Sequence, residues 1–599
     1  MVHHRCGASF GRSRVDKATR ATDGNYSAMK WRRKSKPVVE LDEILLDVSN
    51  LPSFNTGRLE GRRELPIRSF NVYLIGICFS IIAVAFVGKI YTLQVTEGAN
   101  FRKISDDNTL NSSVIVAERG VVYDRNGELL IWNEHDTTGH YDFPVRAYTD
   151  RLGLGQLLGY VSYPQRDKRG FYYRTDYIGR TGVESAFETN LHGKNGKKII
   201  EVDALGNVVG EHAIATPEPG QSLTLSVDAG LSEAMYQVIS TSSAKAGFRS
   251  GAGVIMDIHT GEILAMTSFP SYDPEVMADG DDTALIAQYN KDDRFPFLNK
   301  VVSGLYTPGS IVKPFVAYGA LAEKIIDPNK IIVSTGRIVV PNPYNPAQPA
   351  YFNDWRAHGP MTMREGIAFS SNVYFYTIGG GFGDQPGLGI TRMSQYFKKF
   401  GMGSTTGINL ASEPTGIVPT PEWKQATFHD DWRLGDTYFS AIGQYGSKET
   451  PLQMVRAYGA LASGGTLITP TVVKGAVGSS TNIGLNPAYL KVIYEGMRET
   501  VTLAGGTARG LERNDVHIAA KSGTAEIGSG NAYVNSWAAG FWPVEKPKYA
   551  FILMMDHAPR SNALGATRIM GGVFDWMALN RPQYIHTDMT ASTTGLKAP

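Results

Sequence analysis

Residues 70–88 (FNVYLIGICFSIIAVAFVG) contain no Asp, Glu, Lys or Arg. A helix needs about 20 apolar residues to cross the hydrocarbon core of a bilayer, so residues 69–91 are expected to form a transmembrane helix. Arg62, Arg63 and Arg68 precede the run and Lys89 closes it. Basic flanks stay in the cytoplasm. The chain beyond about Tyr91 is therefore expected to lie outside it. A cleaved signal peptide fits less well, because the preceding region and the apolar run are too long and no A-x-A-like site follows. Length and charge asymmetry also argue against a buried helix of a soluble protein.

The charges are unevenly placed. Residues 1–69 hold 14 Lys and Arg against 8 Asp and Glu, a net of +6, while the remainder holds 45 against 49, a net of −4. The whole chain carries only +2, so no strongly basic balance points to nucleic acid as a partner. Residues 1–68 are polar, basic and aperiodic, and read as a disordered cytoplasmic tail. Its KWRRKSK stretch (30–36) could touch anionic lipid head groups. The only cysteines are Cys6 and Cys78. The long C-terminal part can therefore hold neither a disulfide framework nor a cysteine-based metal site. No metal or cofactor is expected.

At 599 residues the chain has room for several domains. Residues 92–220 read as a β-rich domain. Short strands are expected at 114–116, 120–123 and 128–132 around the turn Asp124-Arg125-Asn126-Gly127. Another pair, 198–202 with 208–210, closes over Leu205-Gly206-Asn207. Pro217-Glu218-Pro219-Gly220 marks a boundary. From 221 to 585 helices and strands are mixed. A strand at 223–226 enters a helix near Asp228, and 254–258 and 263–266 form a hairpin. Helices are expected at 312–321, 363–375 and 450–462, and strands at 517–520, 537–541 and 549–555. Residues 586–599 are a polar, Thr-rich tail.

Three short motifs carry chemistry. Ser310-Ile311-Val312-Lys313 is an S-x-x-K sequence after Tyr306-Thr307-Pro308-Gly309, a turn that starts a helix. Spacing of three puts both side chains on one helix face. A hydroxyl needs a base beside it to become a good nucleophile, and a desolvated lysine can serve. In Ser370-Ser371-Asn372, a hydroxyl could relay a proton and the Asn372 amide could hold a carbonyl or orient Lys313. In Lys521-Ser522-Gly523-Thr524, after an apolar strand, a cation and hydroxyls could grip a carboxylate, and Gly523 would allow close backbone approach. Each motif alone is more often an ordinary helix start, cap or strand end. Together, in this order, they fit the S-x-x-K, S-D-N and K-T-G set of serine acyl-transfer enzymes, with Ser-Ser-Asn and Lys-Ser-Gly as variants that keep the hydroxyl and amide chemistry.

From about residue 69 to 580 the chain resembles the class B penicillin-binding proteins, and most the penicillin-binding protein 2, or elongation (cell-shape), type. RGVVYDRNGELL (119–130), GRTGVESAFE (179–188), YTPGSIVKPF (306–315), SSNVYFY (370–376) and KSGTAE (521–526) carry the resemblance. TGIVPTPEWK (415–424) and LGDTYFSAIGQYGSKETPLQMVRAYGALASGG (434–465) favour the elongation over the septal, division type. The resemblance implies an α/β (α+β) serine transpeptidase domain of β-lactamase-like fold at 221–585, an antiparallel sheet packed with helices. It also implies a β-rich pedestal, or dimerisation, domain at 92–220 and a single transmembrane helix.

The implied activity is peptidoglycan D,D-transpeptidation. Ser310 would attack the penultimate D-alanine carbonyl of a stem peptide, D-alanine would leave, and an amine of a neighbouring stem would take the acyl group. Lys313 would be the base, with Ser370 and Asn372 assisting. Lys521, Ser522, Gly523 and Thr524 would bind the substrate carboxylate, and the Ser310 and Thr524 N–H groups would form the oxyanion hole. β-Lactams would acylate Ser310. Implied partners are a membrane-embedded glycan polymerase of the shape/division family and other elongation-complex proteins, at the bacterial inner membrane with the catalytic domain periplasmic. A D,D-carboxypeptidase, a β-lactamase and a non-catalytic scaffold or β-lactam sensor are the alternatives.

The chain also departs from the family pattern. Only about 30 residues separate Gly127 from LGYVS at 158–162, where the family usually carries a longer insertion. Gln444-Tyr445-Gly446 replaces the usual Gln-Gly, and the N-terminal tail is long. Arg119, Asp124, Arg180 and Glu184 are expected to make structural contacts between domains, and Asp436, Thr437 and Gln444 to support the fold. His358 and His429 read as structural or exposed.

Overall fold

The computed structural model describes residues 69–99, 101 and 110–586, apart from 138, 140, 169–171, 203–207, 343, 344 and 411. The basic tail at 1–68, the turn at 205–207 and residues 587–599 of the polar tail lie outside the described residues. The chain divides into two compact units, 1–101 and 102–599.

In the first unit, Ser69–Tyr91 is a single helix, α1. At about 1.5 Å per residue it is roughly 35 Å long, enough to cross a bilayer. Phe70, Phe79, Val84 and Phe86 are exposed along it, apolar side chains of the kind a membrane-spanning helix presents. Among the described residues, Phe70–Thr96 is the one segment long and apolar enough to span a membrane.

The second unit begins with two small sheets. Leu110–Ile115, Gly196–Val202 and Val208–Ala215 form an antiparallel three-stranded sheet. In the other, Leu223–Thr224 runs parallel to Val122–Tyr123, which continues antiparallel to Leu129–Glu134 and then Val145–Tyr148. The short strands expected around 114–116 and 120–123 fall in different sheets. Asp124 Oδ1 accepts from the N–H groups of Asn126 (2.7 Å) and Glu128 (2.9 Å), which closes the expected turn.

An ionic knot lies inside this region. Arg119 Nε donates to Glu184 Oε2 (2.5 Å), Arg146 Nε donates to Glu184 Oε1 (2.7 Å), and Arg119 Nη2 donates to Glu188 Oε2 (2.6 Å). Arg119, Arg146 and Glu184 are buried. Such charges persist only when every donor and acceptor is used. Arg119 and Glu184 therefore brace the β-rich region internally rather than bridging domains. Asp124 does reach across, accepting from the Ala229 N–H at 3.2 Å. Arg180 stays within the same region, its N–H donating to the Tyr160 carbonyl (2.8 Å) and its Nε to the Ser162 hydroxyl (3.0 Å).

The larger part follows in chain order: α2 (Ala229–Ala246), β1 (Ser250–Asp257), β2 (Ile263–Phe269), α3 (Lys313–Ala322), α4 (Met363–Ala368), α5 (Asn372–Gly380), α6 (Leu434–Ala441), α7 (Pro451–Ala462), α8 (Pro487–Thr502), β3 (Ala519–Ile527), β4 (Tyr533–Trp542), β5 (Tyr549–Pro559) and α9 (Ala566–Asn580). The five strands form one antiparallel sheet in the order β2-β1-β5-β4-β3. Side chains alternate faces along a strand. In β5, Phe551, Leu553 and Met555 pack with Leu231 and Met235 of α2 and Phe574 and Met577 of α9. Ile552 and Met554 pack on the opposite side, in the cluster that holds Phe315 of α3 and Tyr458 of α7. Both faces are covered, so the strands read as continuous apolar runs. The mixed fold with an antiparallel sheet is the one expected.

Two expected elements differ in detail. The helix expected at 363–375 is two helices, α4 and α5, because Ser370 is left-handed (φ +54°) and Ser371 is extended and caps α5. Lys521 to Thr524 lies within strand β3 rather than beyond its end.

Candidate active site

A cleft of about 870 Å³ is lined by Ser310, Ser370, Asn372, Thr507, Ser522 and Thr524, among others. Three distant chain segments thus meet in one place.

Ser310 sits in the single 3-10 turn Gly309–Val312 that leads into α3. Gly309 has φ +59°, and a Cβ there would come 3.2 Å from the backbone N of Ala525 and the carbonyl of Thr524. Glycine is therefore what lets the Ser310 turn lie against β3. The turn is held from several sides. Gly309 N–H donates to the Gly443 carbonyl (3.0 Å), Trp537 Nε1 donates to the Thr307 carbonyl (3.0 Å), and the Tyr458 hydroxyl donates to the Ile311 carbonyl (2.7 Å). Gly523 packs here too, for a Cβ would lie 3.0 Å from the Pro308 carbonyl oxygen and from Ile311. Its missing side chain makes room for the nucleophile turn, where the expectation was close approach of substrate.

Lys313 opens α3 and is fully buried. Its Nζ donates to the Ser370 carbonyl (2.7 Å), Asn372 Oδ1 (2.8 Å) and Ser370 Oγ (3.2 Å). Among the described residues the Ser310 hydroxyl makes no hydrogen bond, so it is unspent and faces the cleft. Burial pushes the Lys313 amine down to about 7, against a smaller upward pull from Asp354. Near neutral pH a substantial share of Lys313 is thus the free base.

Lys521 is also fully buried, and its Nζ donates to the Ser522 carbonyl at 2.9 Å. Burial drives its pKa well down, and the Lys313 charge adds to the effect. An incoming carboxylate would favour the ammonium form again. The Ser522 hydroxyl donates to Thr507 Oγ1 (2.6 Å), and the Thr524 side chain is exposed to the cleft.

Sequence reasoning missed Asp354. Its carboxylate accepts from Ser371 Oγ (2.6 Å), Asn372 N–H (2.9 Å) and Val373 N–H (3.0 Å), which ties it to the start of α5. It is a capping carboxylate supplied from another segment. Capping by a residue 18 positions away leaves no local pattern to read. His358 lies behind it, shielded from solvent and 3.6 Å from Asp354, and burial lowers its pKa. His429 is an exposed left-handed C-cap. Asp436 accepts from Lys424 Nζ and Arg433 N–H, both at 2.7 Å, and Thr437 Oγ1 accepts from Trp432 Nε1 at 2.8 Å. Both support the fold, as expected. Gln444, expected to do the same, lies in the cleft wall with Trp355, Phe439 and Tyr445.

This arrangement can activate a hydroxyl, hold a carboxylate and present an edge strand to an extended peptide. Comparison with known proteins agrees. Residues 251–572 match the penicillin binding protein transpeptidase domain, and residues 140–225 match the penicillin-binding protein dimerisation domain. A peptidoglycan D,D-transpeptidase MrdA from Acinetobacter baumannii is 32% identical over 437 residues, which are 69% of this chain. The chain spans 62% of that relative's length. PBP2 of Helicobacter pylori, solved in complex with MreC, superposes with a TM-score of 0.64 at 26% identity, covering 79% of this chain and 98% of that one. PBP2 of Pseudomonas aeruginosa, solved in complex with WCK 5153, gives 0.63 at 29% identity, covering 78% and 97%.

Proposed function

The chain belongs to the penicillin-binding proteins, as a class B member of PBP2 type, and we propose that it is a membrane-anchored peptidoglycan D,D-transpeptidase of cell elongation. One observation carries the mechanism. The buried Lys313 amine is hydrogen-bonded to Ser370 and Asn372 at the wall of a cleft that also presents Ser310 and β3.

In the proposed reaction the Ser310 hydroxyl attacks the penultimate D-alanine carbonyl. Neutral Lys313 takes the proton, and Ser370 relays it to the departing D-alanine nitrogen. The donor's terminal carboxylate is held by Lys521, Ser522 and Thr524. The Ser310 N–H is one of the first amides of its turn, which lack an intrahelical acceptor. With the Thr524 N–H it would stabilise the tetrahedral oxyanion. Removing one such donor costs roughly 10²–10³ in rate. The acyl-enzyme then passes its acyl group to a stem-peptide amine, and Lys313 takes the amine's proton and returns it to Ser310 Oγ as the ester bond breaks. β-Lactams enter the same first step.

The anchor is α1. The basic residues Arg62, Arg63 and Arg68 ahead of it support a single pass through the inner membrane, with the catalytic part outside the cytoplasm. The complex with MreC belongs to the Helicobacter relative. By analogy we propose elongation-complex partners for this chain, among them a membrane-embedded glycan polymerase.

Labelling with a fluorescent penicillin tests the reading. The full-length protein becomes covalently labelled and Ser310→Ala does not. Labelling that survives in Ser310→Ala would remove Ser310 as the nucleophile, and rapid release of penicilloate would make the protein a hydrolase instead.

A further inference from the structure

Strand β3 ends the sheet, with β4 on one side and, among the described residues, no strand on the other. Its pairing with β4 runs from Ala519 to Ile527 without a bulge. The backbone groups of an edge strand therefore point alternately toward the neighbour and away from it. Gln444 reveals which residues face away. With its amide oriented to satisfy both partners, Gln444 donates to the Glu526 carbonyl (3.3 Å) and accepts from the Glu526 N–H (2.9 Å). Glu526 thus faces outward, and so, by alternation, do Thr524 and Ser522.

The outward positions that line the cleft, Ser522, Thr524 and Glu526, are not equivalent. The Ser522 carbonyl is taken by Lys521 Nζ at 2.9 Å. Both Glu526 groups are taken by Gln444. Among the described residues Thr524, between them, keeps a rung of the cleft edge without a hydrogen-bond partner, directly beside the Ser310 turn. Gln444 also follows Gly443, whose carbonyl accepts from Gly309 N–H at 3.0 Å. One short segment therefore closes the strand edge and holds the nucleophile turn.

We propose that Gln444 is a positioning residue that limits strand pairing by the acyl donor to a single peptide group. The inference rests on the transpeptidase reading. A donor whose carboxylate sits at the Lys521 end must run its upstream residues toward Glu526. There the Gln444 amide occupies the next rung, and the upstream chain must leave the strand. The donor class this edge accepts is one recognised by its last two residues and tolerant of what precedes them. An unguarded edge would reward longer extended peptides through added rungs.

The test compares two thioester donors on the full-length protein in detergent, read by thiol release. The short one is an N-acetyl-D-alanyl thioester of thioglycolate. The extended one carries two further residues before the D-alanine. For the wild type, kcat/KM is nearly the same for both. In Gln444→Met and Gln444→Ala, the Glu526 groups are freed, and the extended-to-short ratio rises by roughly fivefold, the worth of about one hydrogen bond. Thermal melting identifies which variants are folded, and either suffices. An unchanged ratio, including a parallel fall for both donors, overturns the inference and leaves Gln444 as a structural brace. A wild type that releases thiol from neither donor, or release that persists in Ser310→Ala, overturns the transpeptidase reading and the inference with it.

Discussion

Asn372 Oδ1 accepts a 2.8 Å hydrogen bond from Lys313 Nζ, at the point where α5 begins. The amide's acceptor is thereby spent on the lysine, which leaves its NH₂ group for a substrate carbonyl. The same contact holds the amine that the proposed reaction uses as its base.

Burial lowers the Lys313 pKa to about 7 from an ordinary value of 10.5. In the proposed reaction the base is the neutral amine, so activity is expected to be lost as pH falls through the folded-state value. The rate constant for acylation by a penicillin is expected to drop about tenfold per pH unit below 7 and to level off above it. Stopped-flow acylation from pH 5 to 9 measures this. A profile flat through pH 7 would show that Lys313 is not the group titrating. Lys313→Ala should cost about 10²–10⁴ in rate at pH 8.

Asp354, bound to the start of α5, acts on the same amine. Its negative charge pulls the Lys313 pKa upward, so Asp354→Asn is expected to move the inflection of the pH–rate profile to lower pH. The carboxylate also accepts from Ser371, Asn372 and Val373. Asp354→Ala should therefore lower stability by about 1–3 kcal/mol, seen as a lower melting temperature, and slow acylation by displacing Asn372. An inflection that shifts to higher pH in Asp354→Asn would contradict the electrostatic assignment.

These two residues also mark how far sequence reading reaches. Ser310 and Lys313 share a helix face, and the motifs at Ser370 and Lys521 are compact, so residue type and spacing disclosed them. Asp354 reaches Ser371 from a separate segment, a relationship that exists only in three dimensions. The break between α4 and α5 was hidden for a related reason. Apolar residues continue through Phe369 and Val373, while the helix is stopped by the backbone conformation of Ser370 and the Ser371 cap. Strand β3 ran longer than its apolar start suggested, because Lys521, Ser522 and Thr524 are polar for the cleft's sake yet extended for the sheet's. Gln444 was read as a fold residue because nothing in the sequence shows that it meets the backbone of Glu526.

The knot of Arg119, Arg146 and Glu184 gives a stability prediction far from the chemistry. Glu184→Gln removes the one charge that both guanidinium groups share. Breaking a buried pair in this way typically costs 3–5 kcal/mol. Thermal denaturation should show a large loss. Ser310 labelling at low temperature should persist, since the knot lies in the β-rich region. A melting temperature within a degree or two of the wild type would mean that water reaches the knot and screens it.

Gly309→Ala separates geometry from folding most sharply. The residue is left-handed, which costs an alanine about 1–2 kcal/mol, and its new Cβ would sit 3.2 Å from the Thr524 carbonyl and the Ala525 nitrogen. The sheet and the α3 helix bury enough apolar surface to keep the domain folded despite that strain. The turn, however, must move away from β3 to relieve the contact, which carries Ser310 from the Thr524 N–H. A displacement near 1 Å can cost about 10² in rate. Penicillin acylation is accordingly expected to slow by about that factor, with only a modest fall in melting temperature. Acylation at the wild-type rate would show that the distance between the Ser310 turn and β3 is not what sets the reaction.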